Sequence, residues 1–238
     1  MKPIWEDENK MIKIDKLNFA YGNVQTLFDL SLEWGPGQIH CVTGRNGVGK
    51  TTLMKNMMGL LKPKAGHISV DGKDITLLPP YRRVGEGLAY VPQGRHIFPK
   101  LSVEDNLRTG CRTLHEKIPA EIFEYFPVLH EMKKRSGGDL SGGQQQQLAI
   151  GRALVTQPKI LILDEPTEGI QPNIIQRIGE VLKDLCIQRK MTIIIVEQYL
   201  DFIKEFCHTF SIMNRGQVVH HNAIEALSEE LIIQYLHV

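Results

Sequence analysis

The sequence lacks any long apolar run. Its longest uninterrupted apolar stretch, TIIIV at residues 192–196, is far shorter than the roughly 20 residues that a helix needs to cross a bilayer. The first ten residues, MKPIWEDENK, contain no apolar segment of the kind found in a signal peptide. We therefore expect a soluble, intracellular chain whose residues 1–10 form a tail outside the folded domain.

Cysteine is scarce and has no pattern. The 4 cysteines, Cys41, Cys111, Cys186 and Cys207, are scattered and form no CxxC pair. Neither a disulfide framework nor a cysteine metal site is indicated. The sequence predicts reduced thiols that are buried or half-buried.

An excess of one charge is also missing. The 28 Lys and Arg residues nearly balance the 27 Asp and Glu residues, for a formal net charge of +1. Binding to a nucleic-acid backbone usually shows as a surplus of basic residues, and no basic stripe interleaved with aromatics is present. Nucleic acid is therefore not expected as a partner.

What the sequence does contain is the alternation of strands and helices of an α/β protein. KILILDEP and MTIIIVEQ predict buried strands, and a helix over about 173–189 separates them, as in a parallel sheet. Near the N-terminus, IKIDKLNFAYG and LFDLSLEW alternate like strands with one wet face. The pattern becomes helical between about 96 and 155. An α/β core with a helical insertion is predicted.

The segment GRNGVGKT, residues 44–51, fits the phosphate-binding pattern G-x-x-x-x-G-K-[ST]. It lies between a predicted strand and a predicted helix, so a chance glycine turn explains it poorly. Glycines let the backbone approach phosphates, and the helix N-terminus supplies positive potential. Lys50 is predicted to reach the β- and γ-phosphates, and the Thr51 hydroxyl to bind Mg²⁺. The predicted nucleotide contacts here are Gly44, Arg45, Asn46, Gly47, Val48, Gly49, Lys50, Thr51 and Thr52.

Two acidic residues follow the apolar strand ILIL. Asp164 is predicted to emerge at the strand's carboxyl end, where open α/β sheets bind ligands, and to hold Mg²⁺. Glu165 is placed to deprotonate a water in line with the γ-phosphate. The alternative is a surface acid that caps a turn before Pro166.

Tyr21 and Gln93 have two interpretations each. Tyr21 lies in an early strand–turn and could stack on a base, although its spacing alone favours a packed strand residue. Gln93 follows a strand and a proline. Its amide oxygen could bind Mg²⁺, or it could be a solvated loop side chain.

The stretch LSGGQQQQLAIGRAL, residues 140–154, predicts a second glycine turn that opens a helix. The loop at 44–51 already surrounds one set of phosphates. A second anion-binding turn makes sense if Ser141, Gly142 and Gly143 serve a nucleotide held by another subunit. The alternative is an ordinary helix N-cap at Ser141.

In this order, GRNGVGKTT, VPQG, LSGGQ and LILDEP resemble the motifs of ATP-binding-cassette (ABC) transporter ATPases, over nearly the whole chain from about residue 11. The resemblance implies a P-loop, RecA-like α/β core over about 11–95 and 156–238, with a mainly parallel sheet and an N-terminal antiparallel β region. It also implies an α-helical subdomain over about 96–155.

The same resemblance implies ATP and Mg²⁺ as cofactors and a head-to-tail ATPase dimer. Tyr21 would stack on adenine, and Gln93 would bind Mg²⁺. The residues implied to contact the partner's ATP are Ser141, Gly142, Gly143 and Gln144.

Two departures narrow the match. Most of the family has a histidine at the γ-phosphate after the last core strand, where this chain has Gln198; an amide can donate a hydrogen bond but cannot become cationic. After the acidic pair, Glu168–Gln171 (EGIQ) replaces the usual Ser-Ala-Leu-Asp. Both features resemble the branched-chain amino acid, amide and urea importer branch, and within it most the urea-type subunit.

For partners, the resemblance implies membrane permease subunits, a second related ATPase or a second copy of this chain, and indirectly a periplasmic solute-binding protein. The implied location is peripheral, on the cytoplasmic face of the inner (plasma) membrane. Two alternatives stay open. One is a soluble non-transport ABC ATPase, although tandem cassettes, long coiled coils and basic surfaces are missing. The other, motivated by Gln198, is a cassette that binds ATP with little hydrolysis.

Overall fold

The computed structural model describes residues 11–113 and 115–236. The predicted tail at 1–10 therefore lies outside the described residues. Among the residues described, ten strands form two sheets, one antiparallel and one mainly parallel. None of the helices in these ranges combines the length and apolar composition of a membrane span.

The antiparallel sheet is built mostly from the N-terminal strands. Its strand order is β2-β1-β4-β5. The strands are β1 (Ile12–Tyr21), β2 (Val24–Trp34), β4 (Ala65–Val70) and β5 (Lys73–Asp74). Asp71 and Gly72, which connect β4 to β5, both have positive φ, as a tight hairpin turn requires.

The second sheet has the order β10-β9-β3-β8-β7-β6, and all its pairs are parallel except the β9–β10 hairpin. The strands are β3 (Ile39–Thr43), β6 (Leu88–Val91), β7 (Ile160–Asp164), β8 (Thr192–Val196), β9 (Thr209–Asn214) and β10 (Gln217–Ala223). The carboxyl ends of β3, β6, β7 and β8 therefore meet at one edge of this sheet.

Helices cover and extend the parallel sheet. They are α1 (Lys50–Met57), α2 (Pro80–Gly85), α3 (Val103–Arg108), α4 (Glu121–Tyr125), α5 (Pro127–Glu131), α6 (Gly142–Leu154), α7 (Pro172–Arg189), α8 (Leu200–Phe206) and α9 (Glu229–Tyr235). The helical segment between β6 and β7 consists of three short helices and the longer α6. The sequence pattern gave no sign of α2 or α8, which are only six and seven residues long.

The parallel sheet separates two apolar clusters. Along β7, Leu161 and Leu163 point into the cluster that contains α6, α7 and α8, whereas Ile160 and Ile162 point into the cluster that contains α1 and the antiparallel sheet. Because both faces are covered, β3, β7 and β8 are buried at every position. This explains why ILIL and TIIIV are continuous apolar runs, and it confirms the predicted α/β fold class.

The cysteine prediction is also confirmed. All four thiols are free; Cys41, Cys186 and Cys207 are buried, and Cys111 is half-buried.

His40 is a buried histidine in β3 that is held neutral. Its Nε2 lies 2.9 Å from the Gly35 carbonyl oxygen, which can only accept, so Nε2 carries the proton and Nδ1 accepts from the Thr209 hydroxyl at 2.7 Å. The pKa of His40 is lowered to about 4, mainly by burial and in part by the nearby His221 and His208, while the hydrogen bond to Gly35 opposes the shift. Both neighbours also have a lowered pKa, mainly through burial.

This burial predicts acid sensitivity. In the unfolded protein His40 takes up a proton below pH about 6.5, but in the folded protein it does so only near pH 4. The contribution of His40 to the free energy of unfolding is therefore full above pH 6.5 and is lost as the pH falls towards 4. Because of His40, we expect the free energy of unfolding to be about 2 kcal/mol lower at pH 5 than at pH 7. Urea unfolding of the wild type and His40→Gln at both pH values measures this. Identical pH dependence in the two proteins would contradict it.

Candidate functional site

The phosphate loop connects β3 to α1, as predicted. Gly44 has a φ of 143°, and a Cβ atom at this position would lie 2.3 Å from the Met213 carbonyl oxygen. Gly49, which precedes the first residue of α1, has a φ of 106°. The backbone can follow this path only because both positions are glycine. The loop therefore brings the N-terminus of α1 to the carboxyl edge of the parallel sheet.

Lys50 is the first residue of α1 and is buried within the loop. Its Nζ donates to the carbonyl oxygens of Gly44 at 2.6 Å and Arg45 at 2.9 Å. Burial lowers the pKa of Lys50, while the carboxylates of Glu165 and Asp164 raise it in part. The ammonium group thus lies inside the loop, where a phosphate group would meet it.

Asp164 ends β7 and is almost completely buried. The Thr51 hydroxyl donates to its Oδ1 at 3.2 Å, and the Tyr90 hydroxyl donates to its Oδ2 at 3.1 Å. Burial raises the pKa of Asp164, and the hydrogen bonds from Tyr90 and Thr51 lower it in part. The carboxylate is therefore fixed from both sides and faces the phosphate loop.

These groups fit a magnesium ion. Mg²⁺ prefers oxygen ligands, often a carboxylate together with the phosphates of its substrate. The Thr51 hydroxyl and the Asp164 carboxylate are already neighbours. The Gln93 amide nitrogen is engaged with two carboxylates, so its amide oxygen is the atom left for an ion. The donor set is of the kind that holds Mg²⁺ beside a nucleotide.

Glu165 lies at the centre of a network of amides. Gln93 donates from Nε2 to Glu165 Oε2 at 2.8 Å and to Glu168 at 3.1 Å. Gln198 donates from Nε2 to Glu165 Oε1 at 3.0 Å and to Asn46 Oδ1 at 2.9 Å. Side chains from the loops after β6 and β8 thus meet at one carboxylate, and Gln198 connects it to Asn46 on the phosphate loop. Gln93 is an exposed loop residue, as one of its two interpretations has it, but its amide nitrogen also contacts two carboxylates; its binding of Mg²⁺ stays a prediction.

The backbone around Glu165 is unusual and well supported. Glu165 has a φ of 50°, in the left-handed region that non-glycine residues seldom occupy, and its N–H donates to the Val196 carbonyl oxygen at 2.9 Å. Directly after β8 comes Glu197, a buried residue whose carboxylate accepts from the Thr167 hydroxyl at 2.7 Å and from the Gln198 N–H at 2.7 Å. Burial raises the pKa of Glu197, and its hydrogen bonds lower it in part. Glu197 thereby fixes the loop that carries Gln198.

A cavity of about 550 Å³ opens at this edge of the sheet. Nine of the predicted site residues line it: Asn46, Gly47, Gly49, Lys50, Thr51, Thr52, Gln93, Glu165 and Gln198. Among the described residues, the predicted positions that do not line it include Tyr21 and the whole segment 141–144.

Tyr21 is the last residue of β1, and 48% of its surface is exposed. The interpretation of Tyr21 as a packed strand residue is therefore wrong. Its ring meets the Phe19 ring edge to face at 4.8 Å between centroids, which leaves a large part of the ring free for a ligand. Its role in stacking on a base stays a prediction.

The second glycine turn starts α6 as a complete capping box. Gln144 N–H donates to Ser141 Oγ at 3.4 Å, and Ser141 N–H donates to Gln144 Oε1 at 2.9 Å. The N-cap interpretation is therefore correct within this chain. Gly143 packs against Ile174 at the start of α7, where a Cβ would come within 3.0 Å of that side chain. This turn is firmly attached to the protein, but away from the chain's own cavity.

Together, the glycine loop, the lysine, the hydroxyl and the buried aspartate define a P-loop nucleotide-binding site at the carboxyl edge of a parallel sheet. The chain belongs to the ABC transporter family, whose sequence model matches residues 27–168, more than half of the chain. It is accordingly an ATPase, the ATP-binding subunit of a transporter.

Two relatives place it in one branch of that family. It is 36% identical to the high-affinity branched-chain amino acid transport ATP-binding protein BraG of Pseudomonas aeruginosa over 221 residues, covering 91% of this chain and 94% of that protein. It is 35% identical to the probable branched-chain amino acid transport ATP-binding protein LivF of Archaeoglobus fulgidus over 224 residues, covering 92% and 94%. The predicted importer branch is confirmed.

A solved structure supports the fold. The chain superposes on CbiO1 of Clostridium perfringens, part of an ABC transporter complex, with a TM-score of 0.80 at 28% identity, covering 95% of this chain and 94% of the other.

Sequence reasoning did not assign a role to Tyr90, Glu197 or Glu168, although all three contact the site. Tyr90 and Glu197 lie within or directly after predicted apolar strands that end at the site, and this position was the available signal. Glu168 was noted only as a departure from the family pattern. Its contact with Gln93 depends on the fold.

Proposed function

We propose that this chain hydrolyses Mg·ATP to drive uptake of branched-chain amino acids, urea or short amides by a membrane importer. The amide network around Glu165, next to Thr51 and Asp164, is the observation that supports hydrolysis most strongly. The names of BraG and LivF support amino-acid transport. The motif resemblance to the urea-type subunit supports urea or amides.

In the proposed reaction each residue has one task. The N–H groups of the loop at 44–51 and the Lys50 ammonium bind the β- and γ-phosphates. Thr51, Asp164 and Gln93 hold Mg²⁺, which when bound neutralises charge on the phosphate oxygens. Glu165 accepts a proton from the water that attacks the γ-phosphorus, as the bond to the ADP oxygen breaks.

Gln198 then takes the place of the family's usual histidine. Its amide already bridges Asn46 on the phosphate loop and Glu165. In this position it can orient the attacking water and donate to a γ-phosphate oxygen without changing its charge. Hydrolysis through Gln198 is therefore expected to need no protonated side chain at this position.

We also propose that two ATPase chains, identical or related, enclose the nucleotides head to tail. Ser141, Gly142, Gly143 and Gln144 do not line the cavity of their own chain. The N-terminus of the 13-residue helix α6 nevertheless offers free N–H groups and positive potential. A nucleotide on the partner chain would use them.

The mass of Glu165→Gln in solution, with and without Mg·ATP, tests this arrangement. We expect light scattering to show a monomer without nucleotide and a dimer with it, because the slow variant keeps ATP bound. Adding Ser141→Arg should abolish the dimer and leave ATP affinity within about two-fold. Loss of ATP affinity in that variant would instead mean that the turn serves its own chain's nucleotide.

If Glu165→Gln binds ATP but stays monomeric, self-pairing is excluded. The same measurement with the second ATPase of the transporter then decides whether a heterodimer forms.

A second cavity of about 420 Å³ lies between the α/β core and the helices of the insertion, and we propose it as the docking site for a cytoplasmic helix of the permease. Its rim carries the exposed apolar side chains Leu60, Val84 and Phe98. The guanidinium of Arg152 lies 5.2 Å from the Phe98 ring. We call this second cavity the subdomain groove. It would accept a helix with both apolar and polar side chains and hold the chain at the inner face of the membrane.

A further inference from the structure

Tyr90 lines the subdomain groove and is hydrogen-bonded to the proposed magnesium ligand Asp164. It lies in β6, and its ring forms part of the wall of the subdomain groove. Its hydroxyl reaches through to the other side and donates to Asp164 Oδ2 at 3.1 Å. One rigid ring thus joins the groove surface to the proposed magnesium ligand.

The Asp164 carboxylate is buried and is held in place by few side chains. Asp164 is 2% exposed, and every residue of β7 is buried. Its two side-chain hydrogen bonds come from Thr51 at Oδ1 and Tyr90 at Oδ2. A Thr51 hydroxyl could bind a metal ion through a lone pair and still donate to Oδ1, so the Tyr90 hydroxyl is the donor that holds Oδ2 and, together with Thr51, fixes the rotation of the carboxylate.

From this geometry we propose that Tyr90 is a positioning residue for the magnesium site, which orients Asp164 from the wall of the subdomain groove. The inference rests on the proposed magnesium role of Asp164. The ring is well suited to it, because a phenol on a strand has two side-chain torsions and a hydroxyl at a fixed distance.

A consequence concerns the groove. A helix docked there would contact the same ring whose hydroxyl holds Asp164. Occupation of the groove would therefore act on the orientation of the metal ligand through the Tyr90 side chain.

Tyr90→Phe is the decisive variant, since it removes the hydroxyl and keeps the ring. The affinity for ATP is measured by equilibrium dialysis with Mn²⁺, as a magnesium substitute, and again in EDTA. The ratio of the two affinities gives the contribution of the metal. We expect that ratio to fall about ten-fold, the usual effect of losing a group that orients a metal ligand, with an unchanged affinity in EDTA. The electron paramagnetic resonance spectrum of bound Mn²⁺ should also change.

Tyr125→Phe is the matched control. It makes the same chemical change in the helical insertion, on a ring that packs against the Arg189 guanidinium. In Tyr125→Phe, the ratio of the ATP affinities with Mn²⁺ and in EDTA and the spectrum of bound Mn²⁺ should both equal those of the wild type.

Three results would count against the proposed role. An unchanged ratio in Tyr90→Phe, or an equal loss of affinity in EDTA together with a lower melting temperature, would overturn the positioning role alone. If the wild type itself gained no ATP affinity from Mn²⁺, the proposed magnesium site would fail first, and the role of Tyr90 with it.

Discussion

Replacing Glu165 by glutamine is expected to lower the rate of ATP hydrolysis by about two to four orders of magnitude, with ATP binding intact. A glutamine side chain has nearly the same size as glutamate but cannot accept a proton at neutral pH. Glu165 lines the cavity beside Lys50 and accepts hydrogen bonds from the Gln93 and Gln198 amides, which a glutamine oxygen can also accept, so the cradle should keep its shape. Steady-state phosphate release and ATP binding by dialysis measure the two effects separately.

Glu168→Gln is the matched comparison for this prediction. Glu168 lines the same cavity and accepts from the same Gln93 amide at 3.1 Å, against 2.8 Å for Glu165. Because Glu168 has no place in the proton transfer, its replacement should lower turnover by less than about ten-fold. Equal losses in the two variants would refute Glu165 as the base. Undetectable turnover in the wild type, with ATP bound, would instead support a cassette that binds with little hydrolysis.

The second large effect is expected in stability, from Arg83→Met. Arg83 in α2 is 1% exposed, and burial lowers the pKa of its guanidinium to about 10. It donates hydrogen bonds to the carbonyl oxygens of Leu78, Thr76, Asn56 and Met57 at 2.6–2.9 Å. The last two carbonyls lie at the end of α1, where carbonyl groups have no partner within the helix.

Methionine fills similar space but donates nothing, so these buried carbonyls lose the guanidinium as a donor; the Asn56 oxygen still accepts from the Gly59 N–H at 3.1 Å. We expect the free energy of unfolding to fall by about 3–5 kcal/mol, as when one member of a buried polar set is removed. Urea unfolding followed by circular dichroism measures the loss. Because α2 and the end of α1 carry groove residues such as Val84 and Met58, the subdomain groove should loosen as well.

Arg82→Met is the control for Arg83→Met. Arg82 is the neighbouring residue in the same helix, is exposed, and places its guanidinium 5.8 Å from the Tyr81 ring. A change there should stay within about 0.5 kcal/mol, as is usual at exposed positions. Similar losses in both variants would show that the buried carbonyl contacts are not what stabilises this region.

Much of the site was predictable because its parts are local in sequence. The loop at 44–51 needs glycines at fixed spacing, because Gly44, Gly47 and Gly49 all have positive φ and at Gly44 the backbone also passes too close to Met213 for a side chain. The position of Asp164 followed from an apolar strand that ends in an acid. Tyr21 shows the limit of such local patterns, since alternation along β1 did not reveal that its ring is half exposed.

The sequence by itself determined the strands, the phosphate loop, the acidic pair and the helix cap at Ser141, since each depends on residues within a few positions of one another. Only the tertiary structure decided which distant side chains meet. Gln93 and Gln198 lie 72 and 33 positions from Glu165, and Tyr90 lies 74 positions from Asp164. They meet because β6, β7 and β8 are parallel neighbours whose carboxyl ends share one edge of the sheet. That adjacency arises from packing apolar strands against helices on both faces, and no local pattern encodes it.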